Sequence, residues 1–380
     1  MNQLYKKQLI ELAKKSKLDS GGFGWLAQSG ELIPRDKLEA WVNFRMTYVF
    51  ALEAIHGNRE VDDYLRHGLL AMKQLFLDEA NGGYYSLAPT SGEKEREKRA
   101  YEFAFALLAL SAGKRANPSE ESSDLNLAIS IFEEYFWDEV YGLVNESWDE
   151  GFTICNGYHG LNSNMHCVEA FLELFKSTSD PKWLNRAVSV CRFAFDSSRE
   201  TKIGLVPEHF DENWKIDRKY NQDHPDDPFR PFGIIIGHQF EWCRLAIELS
   251  AALGQGAPTW LAWEAARIYE IAKRIGWHAD QSDGFVYTVD FDGKAIVNMR
   301  MHWVITEAIA AAWTLSKLTG SREYFNDFQI WWEYAQKFFL DHTNGSWKHE
   351  LDHNNKESST VWIGRPDIYH AHQMYLKVEV

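Results

Sequence analysis

GLVPEHFDENWK, residues Gly204–Lys215, has the alternating, turn-rich character of a short hairpin, and an apolar helical stretch follows it. The chain repeats this arrangement. GFGWLAQSGE begins at Gly22, GGYYSLAPTSGE at Gly82, GLVNESWDEGF at Gly142, GFVYTVDFDGK at Gly284 and GSWKHELDHNNK at Gly345. The six starts lie 60, 60, 62, 80 and 61 residues apart. A period near 60 is too long for one helix pair of a solenoid and fits a hairpin plus two helices. Six such units are the number that closes a helical toroid, whose axis gathers residues from one register of every unit.

Two kinds of helical pattern alternate between the hairpins. Val61–Phe76, Leu125–Trp137, Trp183–Phe195, Trp260–Ile275 and Tyr324–Phe339 each carry a polar face. Val49–Ile55, Phe103–Ala112, Val168–Phe175, Phe240–Ala252 and Val304–Leu318 are apolar nearly all round and rich in small residues. Helices apolar on every side are buried, whereas a polar stripe faces water. The expected fold is therefore all-α: an (α/α)6 barrel with short β-hairpins at one end, forming a single catalytic domain over residues 1–380. Helix starts are signalled by Pro34-Arg35-Asp36, Asn162-Ser163-Asn164 and Pro366-Asp367.

Composition narrows the function. The 380 residues include 16 Trp, 16 Tyr and 23 Phe, enough for a large core and for flat rings of the kind that hold sugars. A formal net charge of −15 argues against nucleic acid and anionic membranes as partners. The run Glu93–Arg99, EKEREKR, is mixed in sign and reads as solvated surface. MNQLYKKQLIELAKKSK at the start reads as an amphipathic helix, not a signal peptide, because no continuous apolar core follows its lysines. The four cysteines lack framework or CxxC spacing, so reduced thiols in a cytoplasmic protein are expected.

Aligned on their hairpins, the inner helices begin with Arg45 in the first unit and Tyr101 in the second, then His166, His238, His302 and His370. Four histidines at one register, with Arg45, would converge on one end of the axis. Glu169 and Glu241 follow their histidines by three residues and share a helix face with them. Histidine titrates near neutrality and can both take and give a proton. That suits proton transfer beside a sugar carbonyl: opening of the ring, removal of the C2 proton to a cis-enediol, and redelivery. Aldose–ketose isomerisation works on one face and needs one base, while epimerisation at C2 needs two. Arg45 would stabilise the enediolate oxygen.

Other chemistries are weighed on the same residues. His349-Glu350-Leu351-Asp352-His353 matches HExxH, but the zinc-protease motif requires a helix and these letters fall in the sixth hairpin. A glycoside hydrolase needs two opposed carboxylates, for which Glu169, Glu241 and Glu307 are available. A binding-only sugar protein would need no such pair. No spacing of carboxylates with histidine stands out as a metal site, so the reading calls for no metal and no cofactor.

At these positions the chain resembles the N-acylglucosamine 2-epimerase superfamily over nearly its whole length. The likeness rests on Arg45 in NFRMTYVFAL, Asn162-x-Asn-Met-His166-x-x-Glu-Ala, Gly237-His238-x-x-Glu241-Trp, His302-Trp with Glu307-Ala, and Pro366-Asp367-x-Tyr-His370-Ala. The last motif is more similar to the mannose and sulfoquinovose aldose–ketose isomerases than to the epimerases. The resemblance implies an (α/α)6 barrel and metal-free acid–base chemistry, with His238 and His370 catalytic and Glu241 supporting His238. It also implies that Arg45, Asn162 and His166 bind the sugar. His370 is expected to shuttle the proton between C1 and C2, and His238 to open the ring. Trp41, one turn before Arg45, is a candidate stacking wall, and His302 a candidate hydroxyl contact; His372 is expected to be structural. A Pro- and Asp-rich insertion, KYNQDHPDDPFRPFGIII, accounts for the 80-residue interval and brings Arg230 as a candidate substrate contact. The expected function is interconversion of D-mannose and D-fructose by a monomer or homodimer acting on a monosaccharide. The alternatives are a 2-epimerase of mannose/glucose or an N-acylhexosamine and, from another class, a glycoside hydrolase or a sugar-binding protein.

Overall fold

The computed structural model describes residues 2–89, 96–119 and 122–378. Twelve α-helices lie among them: α1 (Asn2–Lys14), α2 (Ala40–Ile55), α3 (Asp62–Ala71), α4 (Ala100–Ala116), α5 (Ser123–Ile131), α6 (Leu161–Thr178), α7 (Lys182–Ser198), α8 (Ile236–Leu253), α9 (Trp260–Gly276), α10 (His302–Thr319), α11 (Arg322–Phe338) and α12 (Tyr369–Lys377). The chain forms two compact units. One comprises Ala13–Val190 and Pro366–Tyr369; the other comprises Met1–Leu12, Cys191–Arg365 and His370–Val380. No described helix is long and apolar enough to cross a membrane.

The two expected kinds of helix are present. Nearly every residue of α2, α4 and α8 is buried, whereas α9 and α11 bury a single face. In the first unit α2 packs on α4 and α4 on α6, with α3 against α2 and α5 against α4. In the second, α8 packs on α10, with α9 behind α8 and α11 behind α10.

The hairpins differ from the expectation in one respect. Their first arm precedes the glycine: Trp137–Asp138 pairs antiparallel with Leu143–Val144, and Leu340–Asp341 with Ser346–Trp347. Gly142 and Gly345 close the turns between these arms at φ of +65° and +67°, where an L side chain would be strained. An aspartate four residues earlier shapes each turn. Asp341 Oδ1 accepts the amides of Thr343 and Asn344, and the Asp341 carbonyl accepts that of Gly345. The Asp341 carboxyl, opposed by burial but bonded to Asn344 and Arg365, is lowered to about 2.

The second, third, fifth and sixth hairpins each tie down the strand that enters the inner helix of the preceding repeat. Lys37–Glu39 pairs with Leu87–Pro89 and Lys98–Arg99 with Ser147–Trp148 in the first unit. In the second, Ile234–Ile235 pairs with Thr288–Val289 and Arg300–Met301 with Glu350–Leu351. The inner helices α2, α4, α6, α8 and α10 therefore start directly from extended residues, without side-chain caps. An amide on the fourth helical residue does related work in three of them. Gln239 accepts from the Val206 amide at 2.9 Å and donates to the Val206 and Ile235 carbonyls; Asn43 and Asn164 make the equivalent bonds to Phe23 and Val144. These amides lock hairpin to helix.

Three sequence expectations are corrected here. Pro34-Arg35-Asp36 does not open a helix, because Lys37–Glu39 is drawn into a strand and α2 starts at Ala40. The four histidines do not share a helical register. Counted from the extended residue before each helix, Arg45, Phe105, His166, Glu241 and Glu307 occupy the sixth position, while His238 is third and His302 first. The four histidines lie 24, 34, 18 and 25 residues after their hairpin glycines, so following a hairpin does not fix a helical position when the linking segments differ in length. Finally, Lys98 of the charged run is buried, its ammonium bonded to Asp78 at 2.8 Å and to the carbonyls of Gly82 and Glu150. Residues 93–95 of that run, and 90–93 of the second hairpin, lie outside the described residues.

Candidate active site

In the second unit, two histidines are each anchored through Nδ1 by a buried carboxylate. His238, on the first turn of α8, meets Glu208 Oε2 at 2.8 Å, and Glu208 Oε1 accepts the Ile235 amide. His370, at the start of α12, meets Glu307 Oε1 at 2.9 Å. A carboxylate on Nδ1 selects the tautomer with the proton on that nitrogen and leaves Nε2 to act as base. Trp303 contacts both imidazoles, with ring centroids 5.2 Å from His238 and 5.5 Å from His370. Gly237 makes room for this indole, since a Cβ there would lie 2.3 Å from Trp303 Cζ3.

Glu241 is not the partner of His238. Although it follows by three residues, its Oε1 takes a bond from Arg244 at 3.3 Å, and the Nδ1 of His238 belongs to Glu208. Arg244 is completely buried and donates from Nε to Glu307 Oε2 at 2.7 Å and from Nη1 to Glu248 at 3.1 Å. Ligand atoms of Glu241, Glu307 and His370 lie within 4.8 Å of one another, close enough to hold a metal ion. Arg244 already brings a positive charge to both carboxylates.

His302, the first residue of α10, stacks on His349 with centroids 3.8 Å apart, and its backbone amide donates to the His349 carbonyl. Burial, with His302, Arg365 and His370 nearby, pushes the His349 imidazole well below its usual range, so it is neutral. Its neighbour Glu350 accepts three successive backbone amides, of Thr360, Val361 and Trp362, at 2.7–2.9 Å. The HExxH letters thus lie in a hairpin, with His353 exposed, and do not form the helical zinc site. Arg230 is tied into the insertion, bonded to Tyr220 at 3.4 Å and to Asp227 through its amide. Tyr220 stacks on His209, which docks the insertion on the fourth hairpin. His372 is fully buried.

The first unit holds the other expected residues. Arg45 donates to Asp367 at 3.1 Å and to the Tyr101 hydroxyl at 2.7 Å, with its guanidinium 4.4 Å from the Phe105 ring and 5.2 Å from that of Trp41. Burial opposes its charge, but Tyr101, Asp367 and Tyr369 more than offset that and raise its pKa. His166 lies 3.7 Å from Glu169, which also accepts the Tyr369 hydroxyl, and packs against Tyr101 and Phe105. Asn162 has a buried amide oxygen without a hydrogen-bond partner among the described residues.

Sequence reasoning missed Glu208 and the link from Glu307 to His370. A signal for the first exists: the residue four after five of the six hairpin glycines is Ser86, Glu146, Glu208, Thr288 or His349, and all five are buried despite being polar, whereas the first hairpin has Leu26 there.

Two carboxylate-anchored imidazoles sharing one indole, on a scaffold of paired helices, form a candidate site for acid–base chemistry. Comparison with known proteins narrows this class. Residues 21–374 match the N-acylglucosamine 2-epimerase (GlcNAc 2-epimerase) family, and the chain belongs to that family. It is 36% identical to the D-mannose isomerase of Thermobifida fusca, covering 97% of this chain and 90% of the relative. Identity to the D-mannose isomerase of Pseudomonas cannabina pv. alisalensis is also 36%, with the same coverage. Among solved structures, a D-mannose isomerase crystal structure superposes with a TM-score of 0.92 at 26% identity, covering 99% of this chain and 96% of that one. The cellobiose 2-epimerase of Spirochaeta thermophila matches with a TM-score of 0.85 at 17% identity over 99% and 95% of the two chains, a likeness of fold. The fold class is the (α/α)6 barrel.

Proposed function

We propose that this chain is an aldose–ketose isomerase that interconverts D-mannose and D-fructose through a cis-enediol. The observation that carries the reading is the pair His238 and His370, each with Nδ1 on a buried carboxylate and both against Trp303. His238, backed by Glu208, exchanges protons with the sugar oxygens as the ring opens. Nε2 of His370 then takes the C2 proton, and the electrons of that bond form the enediol as the carbonyl oxygen gains a proton. The same nitrogen returns a proton to C1 while the O2 proton leaves, giving the ketose. Glu307 stabilises the imidazolium formed in between. Glu241 sets the charge beside His370. Arg45, Asn162 and His166 keep the sugar-binding role that the family resemblance implies, with Trp41 as a stacking wall and His302 and Arg230 as further contacts. The 36% identity to two D-mannose isomerases supports mannose as substrate.

Arg244, donating to Glu241 and Glu307, supports chemistry without a metal. A second reading, epimerisation at C2, is favoured by the presence of two anchored bases. Four free cysteines support a cytoplasmic setting, and the protein is proposed to act as a monomer or homodimer. Incubation of the chelator-treated protein with D-mannose tests the reading. Fructose as first product supports it, glucose as first product supports the epimerase, and no conversion refutes both.

A further inference from the structure

The Arg244 side chain has no exposed surface, and the fork of its guanidinium is fully engaged. Nε binds Glu307 Oε2 at 2.7 Å, Nη2 binds Glu241 Oε1 at 3.3 Å and Nη1 binds Glu248 Oε1 at 3.1 Å. Glu248 in turn receives Lys377 at 2.6 Å, from the end of the same helix whose start carries His370. The other oxygen of Glu307 is the one that receives His370 Nδ1. Glu307 is thus a bridge with one oxygen on Arg244 and one on His370. The cost of burying an arginine among carboxylates is large unless it is paired, and here each guanidinium nitrogen has a carboxylate partner.

We infer that Arg244 is a positioning residue for the reaction: by fixing Glu307 Oε2 it fixes the Oε1 that orients His370. The inference rests on the isomerase reading above and deepens it. The guanidinium holds three carboxylates at set angles, which an ammonium on a flexible stem does not reproduce. Without it Glu307 turns, the His370 ring loses its orientation, and Nε2 leaves the line to the C2 hydrogen. Misplacement on the order of 1 Å costs roughly 100-fold in rate, and loss of an orienting partner roughly 10–100-fold.

The test is steady-state kinetics of Arg244→Lys and Glu307→Asp with D-mannose, each checked for fold by circular dichroism. Glu307→Asp keeps the ion pair with Arg244 but draws the carboxylate back from His370, so it stands if Arg244→Lys does not fold. The expected result is a kcat lower by about 10–100-fold with KM changed less than about threefold. A folded variant with wild-type kcat, or with raised KM and unchanged kcat, overturns the inference. An unmodified protein that turns over no mannose overturns the isomerase reading instead, which keeps the two failures apart.

Discussion

Replacing Glu208 by Gln probes the acid–base site with the least disturbance of shape. The amide is isosteric and its oxygen can still accept from His238 Nδ1, now at 2.8 Å from the carboxylate. What is lost is the negative charge opposite the imidazolium that forms when His238 takes a proton. Two unit charges about 4 Å apart interact by ~4 kcal/mol at an effective dielectric constant near 20. Part of that is retained as a neutral hydrogen bond, and bonds to charged groups carry a net ~1.5–3 kcal/mol. At ~1.4 kcal/mol per decade, kcat for mannose should fall by roughly 10–150-fold. Glu208 Oε1 also accepts the Ile235 amide, so a melting curve must accompany the kinetics. A folded Glu208→Gln variant with kcat within about threefold of wild type would refute the assignment of Glu208 as the group that drives His238.

Three further outcomes follow from the same geometry. Gly237→Ala places a methyl 2.3 Å from Trp303 Cζ3, so the indole must move; overpacking of this kind costs about 1–3 kcal/mol, read by urea denaturation, and turnover should fall with it. Gln239→Leu strands the Val206 amide and removes a donor from the Val206 and Ile235 carbonyls, for an expected loss of about 1–3 kcal/mol by the same assay. His349 has its pKa depressed below the ordinary 6.5, so the unfolded chain binds the proton more readily. Its contribution to stability is complete above about pH 6.5 and is lost as pH falls from there toward its folded-state pKa. The melting temperature of the wild type should therefore drop more between pH 7 and pH 5 than that of His349→Phe; equal slopes would refute the assignment.

The helices were legible because the inner segments are apolar nearly all round and the outer ones carry a polar stripe. The hairpins were legible from their glycines, which occupy positive φ at turns such as Gly142 and Gly345. Glu208 was not, because it meets His238 across 30 residues, and Glu307 meets His370 across 63. Helical spacing suggested Glu241 for His238, but Arg244, one further turn along, claims that carboxylate first. The register of the histidines was misjudged for a related reason: it depends on where an extended strand turns into helix, and that point is set by pairing with the next hairpin. Local periodicity thus reveals which faces are buried, whereas partners of buried charges are chosen by contacts distant in the chain.

The most direct measurement is NMR of the first products formed from D-mannose in deuterated water, after chelation of metals. One histidine carrying a proton from C2 to C1 gives D-fructose as the first product, with solvent deuterium at C1 wherever the imidazolium exchanges before redelivery, and conversion persists in the chelator. Glucose labelled at C2 as the first product, no conversion at all, or activity that vanishes with the chelator would contradict the account.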